Sequence, residues 1–74
     1  MPIPPKNPEF SSKLKNLRKS KNLTQEQVAG KLEINRNTYT YYEIGRSLPT
    51  LVTLKKICRL YQILADELLE INKP

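Results

Sequence analysis

The sequence has no histidine and no tryptophan, one cysteine and two glycines in 74 residues. Without histidine, and with Cys58 alone, no set of metal ligands and no internal disulfide can be assembled. There is also no phosphate-binding glycine loop, no serine nucleophile elbow and no evident carboxylate pair, so neither an enzyme nor a cofactor is expected. Long apolar runs are missing: nothing approaches the ~18 residues of a membrane span, and the opening MPIPPKNPEF lacks the basic-then-apolar order of a secretion signal. A reducing, cytoplasmic setting and no membrane partner are the simplest expectations. Acid is scarce as well, with 7 Asp+Glu against 13 Lys+Arg and a formal net charge of +6. That imbalance favours an anionic partner such as nucleic acid. A chain of this length is expected to form one domain that buries only about 60% of its unfolded surface.

What is present has helical period throughout. Pro2, Pro4 and Pro5 make residues 1–6 an extended, flexible arm. Asn7 can cap a helix that has Pro8 in its first position and Glu9 in its first turn, with Phe10, Leu14 and Leu17 recurring on one face. The left-handed tolerance of Asn22 supplies a stop. Thr24 and Gln27 have the spacing of a capping box, and Leu23, Val28, Ala29 and Leu32 share a face behind it. Asn35 and Thr50 cap two further helices, Gly45 ends the first of these, and Leu51, Leu54, Ile57, Cys58 and Tyr61 form an apolar stripe. The expectation is an all-α bundle of five short helices at about 8–20, 25–32, 36–44, 51–61 and 65–71, within a domain over 7–71 and followed by a tail at 72–74.

The segment NRNTYTYYEIG holds three of the four tyrosines. At about 100° per residue, Tyr39 and Tyr42 turn inward with Glu43 at their edge, while Asn37, Thr40, Tyr41 and Ile44 turn outward. Arg36 stands in the first turn of that helix, where a cation faces the positive end of the macrodipole and gains nothing locally. An anion or a guanine edge would reward it, since the guanidinium forms bidentate hydrogen bonds to either. Asn37 suits adenine, Thr40 a thymine methyl, and Tyr41 can stack, pack on a methyl or donate to phosphate.

Over Phe10 to Leu69, and above all in LRKSKNLTQEQVAGKLEINRNTYTYYEIGRSLPTLVTLKKI, the chain resembles the lambda-repressor-like, Cro-type helix-turn-helix family, also called the xenobiotic-response-element type. The shared features are a basic first helix, a Thr-Gln opening of the second, a capped third helix ending in Glu-x-Gly, and a proline before the fourth. The resemblance implies that the third helix enters the major groove of double-stranded DNA while the second lies across the backbone. It makes Arg36, Asn37 and Tyr41 the main base readers and Thr40 a secondary one. It assigns phosphate contacts to Gln25, Asn35, Arg46 and Ser47, and a structural bridge between the first and third helices to Arg18 and Glu43. It also implies a nucleoid-associated regulator, a repressor or dual regulator, without an evident small-molecule effector.

Specificity by so small a unit favours a homodimer on a palindromic site, for which Leu68, Leu69 and Ile71 are the candidate surface. Lys13, Lys15, Lys19, Lys21 and Lys31 would add to the positive field. Cys58 reads as a small buried hydrophobe. The chain departs from the family pattern at Glu33, a turn often held by glycine, at Leu64, where a small polar cap is usual, at Cys58, where alanine is frequent, and at Tyr41, an unusual choice for a base contact. A protein-interaction module, an antitoxin or adaptor, is the alternative from another class.

Overall fold

The computed structural model describes residues 8–69. It contains α1 (Pro8–Ser20), α2 (Gln25–Leu32), α3 (Arg36–Ile44), α4 (Leu51–Tyr61) and α5 (Ala65–Leu69). The first four coincide with the expected spans. The fifth is described only to Leu69, so its expected last residues, the Asn7 cap, the arm and the tail lie outside the described residues.

The helices start where side chains can satisfy their first amides. Thr24 Oγ1 accepts from the Gln27 amide, and Gln27 Oε1 accepts from the Thr24 amide, which completes the capping box. Asn35 accepts from the Asn37 amide, and Thr50 from that of Thr53. Leu64 offers no such side chain; its carbonyl takes the Leu68 amide, and the leucine itself stands exposed.

Three connections share one closure. Asn22, Glu33 and Gln62 are all left-handed, with φ of 57°, 59° and 52°, and each is followed by an apolar residue, Leu23, Ile34 and Ile63. In each case the amides fold back onto the last turn, as when Glu33 bonds the Gly30 carbonyl and Ile34 that of Ala29. The apolar follower then packs against the core. Lys56 supports the Glu33 turn, its ammonium donating to the Leu32 carbonyl at 3.3 Å and lying 3.7 Å from the Glu33 carboxylate. Glycine supplies the left-handed stop only at Gly45.

The core runs through Phe10, Leu14, Val28, Ala29, Leu32, Tyr39, Tyr42, Ile57, Tyr61 and Leu68. Two expectations need correction. Leu51 is 69% exposed and does not belong to the core stripe of α4. It sits about 120° around the helix from Ile57, whereas Thr53, which is buried, sits within about 40°. Leu68 has no exposure at all, so it closes the monomer core and has no surface left for a second chain. Leu69 is half-buried against the same core, and Ile71 lies outside the described residues.

Gly30 is exposed in the middle of α2, and a Cβ built there meets nothing within 4 Å. Gly30→Ala is therefore expected to stabilise the domain by about 1 kcal/mol, the helix-propensity difference, as measured by urea denaturation. A loss of stability would show that the backbone at residue 30 is needed bare.

Candidate nucleic-acid interface

The outer face of α3 collects the residues singled out from the sequence. Arg36 and Asn37 are exposed, Tyr41 is 45% exposed, and Thr40 is half-buried beside them. Tyr39 and Tyr42 point inward at 0% and 5% exposure, their rings packed edge to face. The three-tyrosine segment thus divides as its helical angles require. Asn35 stands exposed at the N-terminal end of this strip, and Arg46 and Ser47 follow its C-terminal end. The amides of Arg46 and Ser47 both turn back to the Tyr41 carbonyl, at 2.9 and 3.4 Å, so the loop is held against α3 and its side chains remain available. Ile44 and Leu48 add exposed apolar surface close by.

Behind the strip lies a polar network that ties α1, α2 and α3 together. Arg18 grips Glu43 with two nitrogens, Nε to Oε2 at 2.7 Å and Nη2 to Oε1 at 3.2 Å, and its Nη1 donates to the Leu23 carbonyl at 2.8 Å. The two side chains are 12% and 2% exposed. The expected bridge is therefore present and buried. Burial pushes the Glu43 carboxyl upward, but the hydrogen bonds from Arg18 and Gln25, with the Tyr39 hydroxyl nearby, hold it below its ordinary value. The bond to Glu43 in turn raises Arg18 above its own. The hydroxyls of Tyr39 and Tyr61 are buried beside this carboxylate without a well-formed hydrogen bond, and burial together with Glu43 raises Tyr39 well above its ordinary value.

Two members of this network were not anticipated as such. Gln25 Nε2 donates to Glu43 Oε1 at 3.1 Å, and Gln25 Oε1 accepts from the Thr40 hydroxyl at 2.8 Å. The opening residue of α2 is thus fixed against the reading face, with one amide hydrogen to spare for an anion. These contacts join residues 15 and 18 apart, so no local pattern announces them.

Lys13 donates to the Glu67 carbonyl at 2.9 Å and joins α1 to α5. Lys15, Lys19, Lys21 and Lys31 are exposed. Cys58 is half-buried, and burial raises its thiol above the ordinary value, in keeping with a small hydrophobe and against a reactive thiolate.

A helix-turn-helix family model matches residues 14–68. The chain belongs to the Cro/C1-type helix-turn-helix family. Within this family it is 43% identical over 61 residues to the HTH-type transcriptional activator BcrR of Enterococcus faecalis, covering 82% of this chain and 30% of that protein. It is 41% identical over 59 residues to the cryptic phage CTXphi transcriptional repressor RstR of Vibrio cholerae, covering 80% of this chain and 53% of that protein. Its fold matches the crystal structure of the restriction-modification controller protein C.AhdI from Aeromonas hydrophila with a TM-score of 0.75 and 30% identity, over 82% of this chain and 92% of that one. The chain thus spans between about a third and a half of these two curated relatives and nearly all of the controller. These helix-turn-helix relatives are regulators of transcription, and they include both an activator and a repressor. No described helix is long and apolar enough to cross a membrane.

Proposed function

We propose that this chain is a sequence-specific reader of double-stranded DNA, the binding module of a cytoplasmic transcriptional regulator that represses, or both represses and activates, by occupying a promoter. Helix α3 enters the major groove, with Arg36, Asn37 and Tyr41 against base edges and Thr40 beside them. Gln25, Asn35, Arg46 and Ser47 hold the phosphates on either side. The observation that carries this reading is the outward strip of α3. It presents a guanidinium, an amide and a phenol together, while the polar groups behind it are tied into the fold. Arg36 supports the reading further, because it has no acidic residue in the first turn of α3 and stands at the unfavourable end of the helix dipole.

The test is titration of a duplex across ionic strength. Log affinity is expected to fall linearly with log salt, at about 0.9 per phosphate contacted, with a residual preference among sequences at every salt. Affinity indifferent to both salt and sequence would replace DNA reading with a protein-interaction module, such as an antitoxin or adaptor.

A homodimer on a palindromic operator fits the dimensions. Half-sites one turn apart are separated by about 34–36 Å. The domain measures 33 × 33 × 23 Å, so two copies related by a two-fold axis can reach that spacing when each α3 lies about 17 Å from the axis. With Leu68 closed into the core, the contact surface is assigned instead to the groove between α4 and the start of α5. Leu51, Leu54, Cys58 and Ala65 line it beside Lys55 and Arg59, and Leu64 is exposed next to it at 69%. Leu51→Asp combined with Leu64→Asp is expected to leave the fold intact, since both side chains are exposed, and to give a monomer by sedimentation with operator affinity at least tenfold weaker. An unchanged mass and affinity would place the dimer contact elsewhere.

A further inference from the structure

The network behind α3 has a fixed direction. Glu43, held as a carboxylate by Arg18, can only accept hydrogen bonds, so the amide nitrogen of Gln25 must face it. The amide oxygen of Gln25 must then face Thr40, and a flipped amide would set two acceptors against each other. The hydroxyl of Thr40, 2.8 Å from that oxygen, is therefore the donor of this contact, and it has only one hydrogen to give. Thr40 nonetheless stands on the reading strip between Asn37 and Tyr41, half-exposed. With its donor engaged, it cannot donate to thymine O4 or to guanine O6 and N7. Its oxygen keeps acceptor capacity alone, and its methyl group is what it offers for apolar contact.

We propose that Gln25 is a positioning residue that engages the single hydroxyl hydrogen of Thr40, so that residue 40 reads a base through its methyl group and each half-site carries a 5-methyl pyrimidine, thymine or 5-methylcytosine, at that position. The inference rests on the placement of α3 in the major groove, where the 5-methyl group is displayed. It deepens that reading by naming the chemical group recognised and the residue that enforces the choice. Thymine and 5-methylcytosine differ there in the exocyclic group, an acceptor against a donor, yet both present the methyl. A hydroxyl free to donate would favour the acceptor; a hydroxyl held by Gln25 does not.

The experiment uses a duplex selected by the protein from a random pool, with each thymine of a half-site replaced in turn by deoxyuridine, which removes the methyl and nothing else. Replacement in one half-site is expected to weaken binding about fourfold, the worth of one buried methyl, and replacement in both half-sites about fifteenfold. At the same position, 5-methylcytosine is expected to bind about fourfold better than cytosine. Thr40→Ser, which keeps the hydroxyl and loses the methyl, is expected to bind thymine and deoxyuridine sites equally. Thr40→Val keeps the preference.

Gln25→Ala frees the hydroxyl and is expected to bring the thymine-to-deoxyuridine ratio toward one in protein whose melting curve shows it to be folded. A purely structural glutamine would lower affinity for both duplexes and leave their ratio unchanged, which would overturn its positioning role. Sequence-specific binding in which no thymine methyl matters would overturn the inference and leave the DNA reading standing. A pool from which no sequence is selected would overturn both.

Discussion

Glu43→Ala is expected to cost on the order of 3–5 kcal/mol, because it leaves the Arg18 guanidinium buried without its counter-charge. A domain of this size has about 4–11 kcal/mol in all, at 0.05–0.15 kcal/mol per residue, so the variant should lose a large share of its stability and melt at a much lower temperature. Arg18→Ala should cost a similar amount for the opposite reason, stranding a carboxylate that is 2% exposed. The two losses should not add. In the double variant no buried charge is left alone, and chemical denaturation is expected to give a coupling energy of at least about 1 kcal/mol. Coupling near zero would show that the two side chains do not act as a pair.

The same carboxylate sets a pH signature. The folded-state pKa of Glu43 is lowered from the unfolded value of about 4.3. Its contribution to stability is therefore fully present above about pH 4.3 and is lost as pH falls through the lower folded value. Glu43→Gln should remove this part of the acid dependence, leaving a flatter stability profile below about pH 4.3.

Arg36→Ala is expected to weaken binding to the preferred operator without unfolding the protein. The side chain is exposed and supports no internal contact in the described residues, so folding stability should change by less than about 0.5 kcal/mol. A bidentate contact to a base edge is worth about 1–3 kcal/mol of discrimination. In a two-fold dimer the loss occurs at both half-sites, so the total reaches about 2–6 kcal/mol, or roughly 30-fold to more than 10⁴-fold. Specificity should relax at one base pair per half-site, in contrast to a phosphate contact such as Arg46, whose removal should weaken all sequences alike and lower the salt slope. Competition titrations with single-base variants of the operator separate the two patterns. If Arg36→Ala changes affinity equally for every variant, Arg36 touches the backbone only.

Most of the fold was legible because its boundaries are written in short-range chemistry. Thr24, Asn35 and Thr50 cap their helices through side-chain bonds to amides two or three residues ahead, and Gly45 marks a stop by its backbone freedom. Helical periodicity alone separated Tyr41 from Tyr39 and Tyr42. Where the sequence misled, the physics was longer in range or the window too short. Leu51 begins α4, so its membership in the apolar stripe rested on one side of a helical wheel, and the core proved to be centred on Ile57. Gln62 adopts a left-handed turn that no glycine or asparagine announces. Leu68 and Leu69 belong to a short helix whose apolar residues suit a core or an interface equally, and only the packing against α1 and α4 decides for the core. The Arg18 and Glu43 pair came from the family resemblance rather than from spacing. The link from Gln25 to Thr40 emerged only when α2 and α3 were brought together.

Selection from a random pool of duplex DNA at near-physiological salt, followed by sequencing of what the protein retains, tests the central claim most directly. The account predicts a two-fold symmetric motif with half-sites one helical turn apart, which loses information at distinct base pairs when the selection is repeated with Arg36→Ala and Tyr41→Ala. Retention without enrichment of any sequence would contradict it.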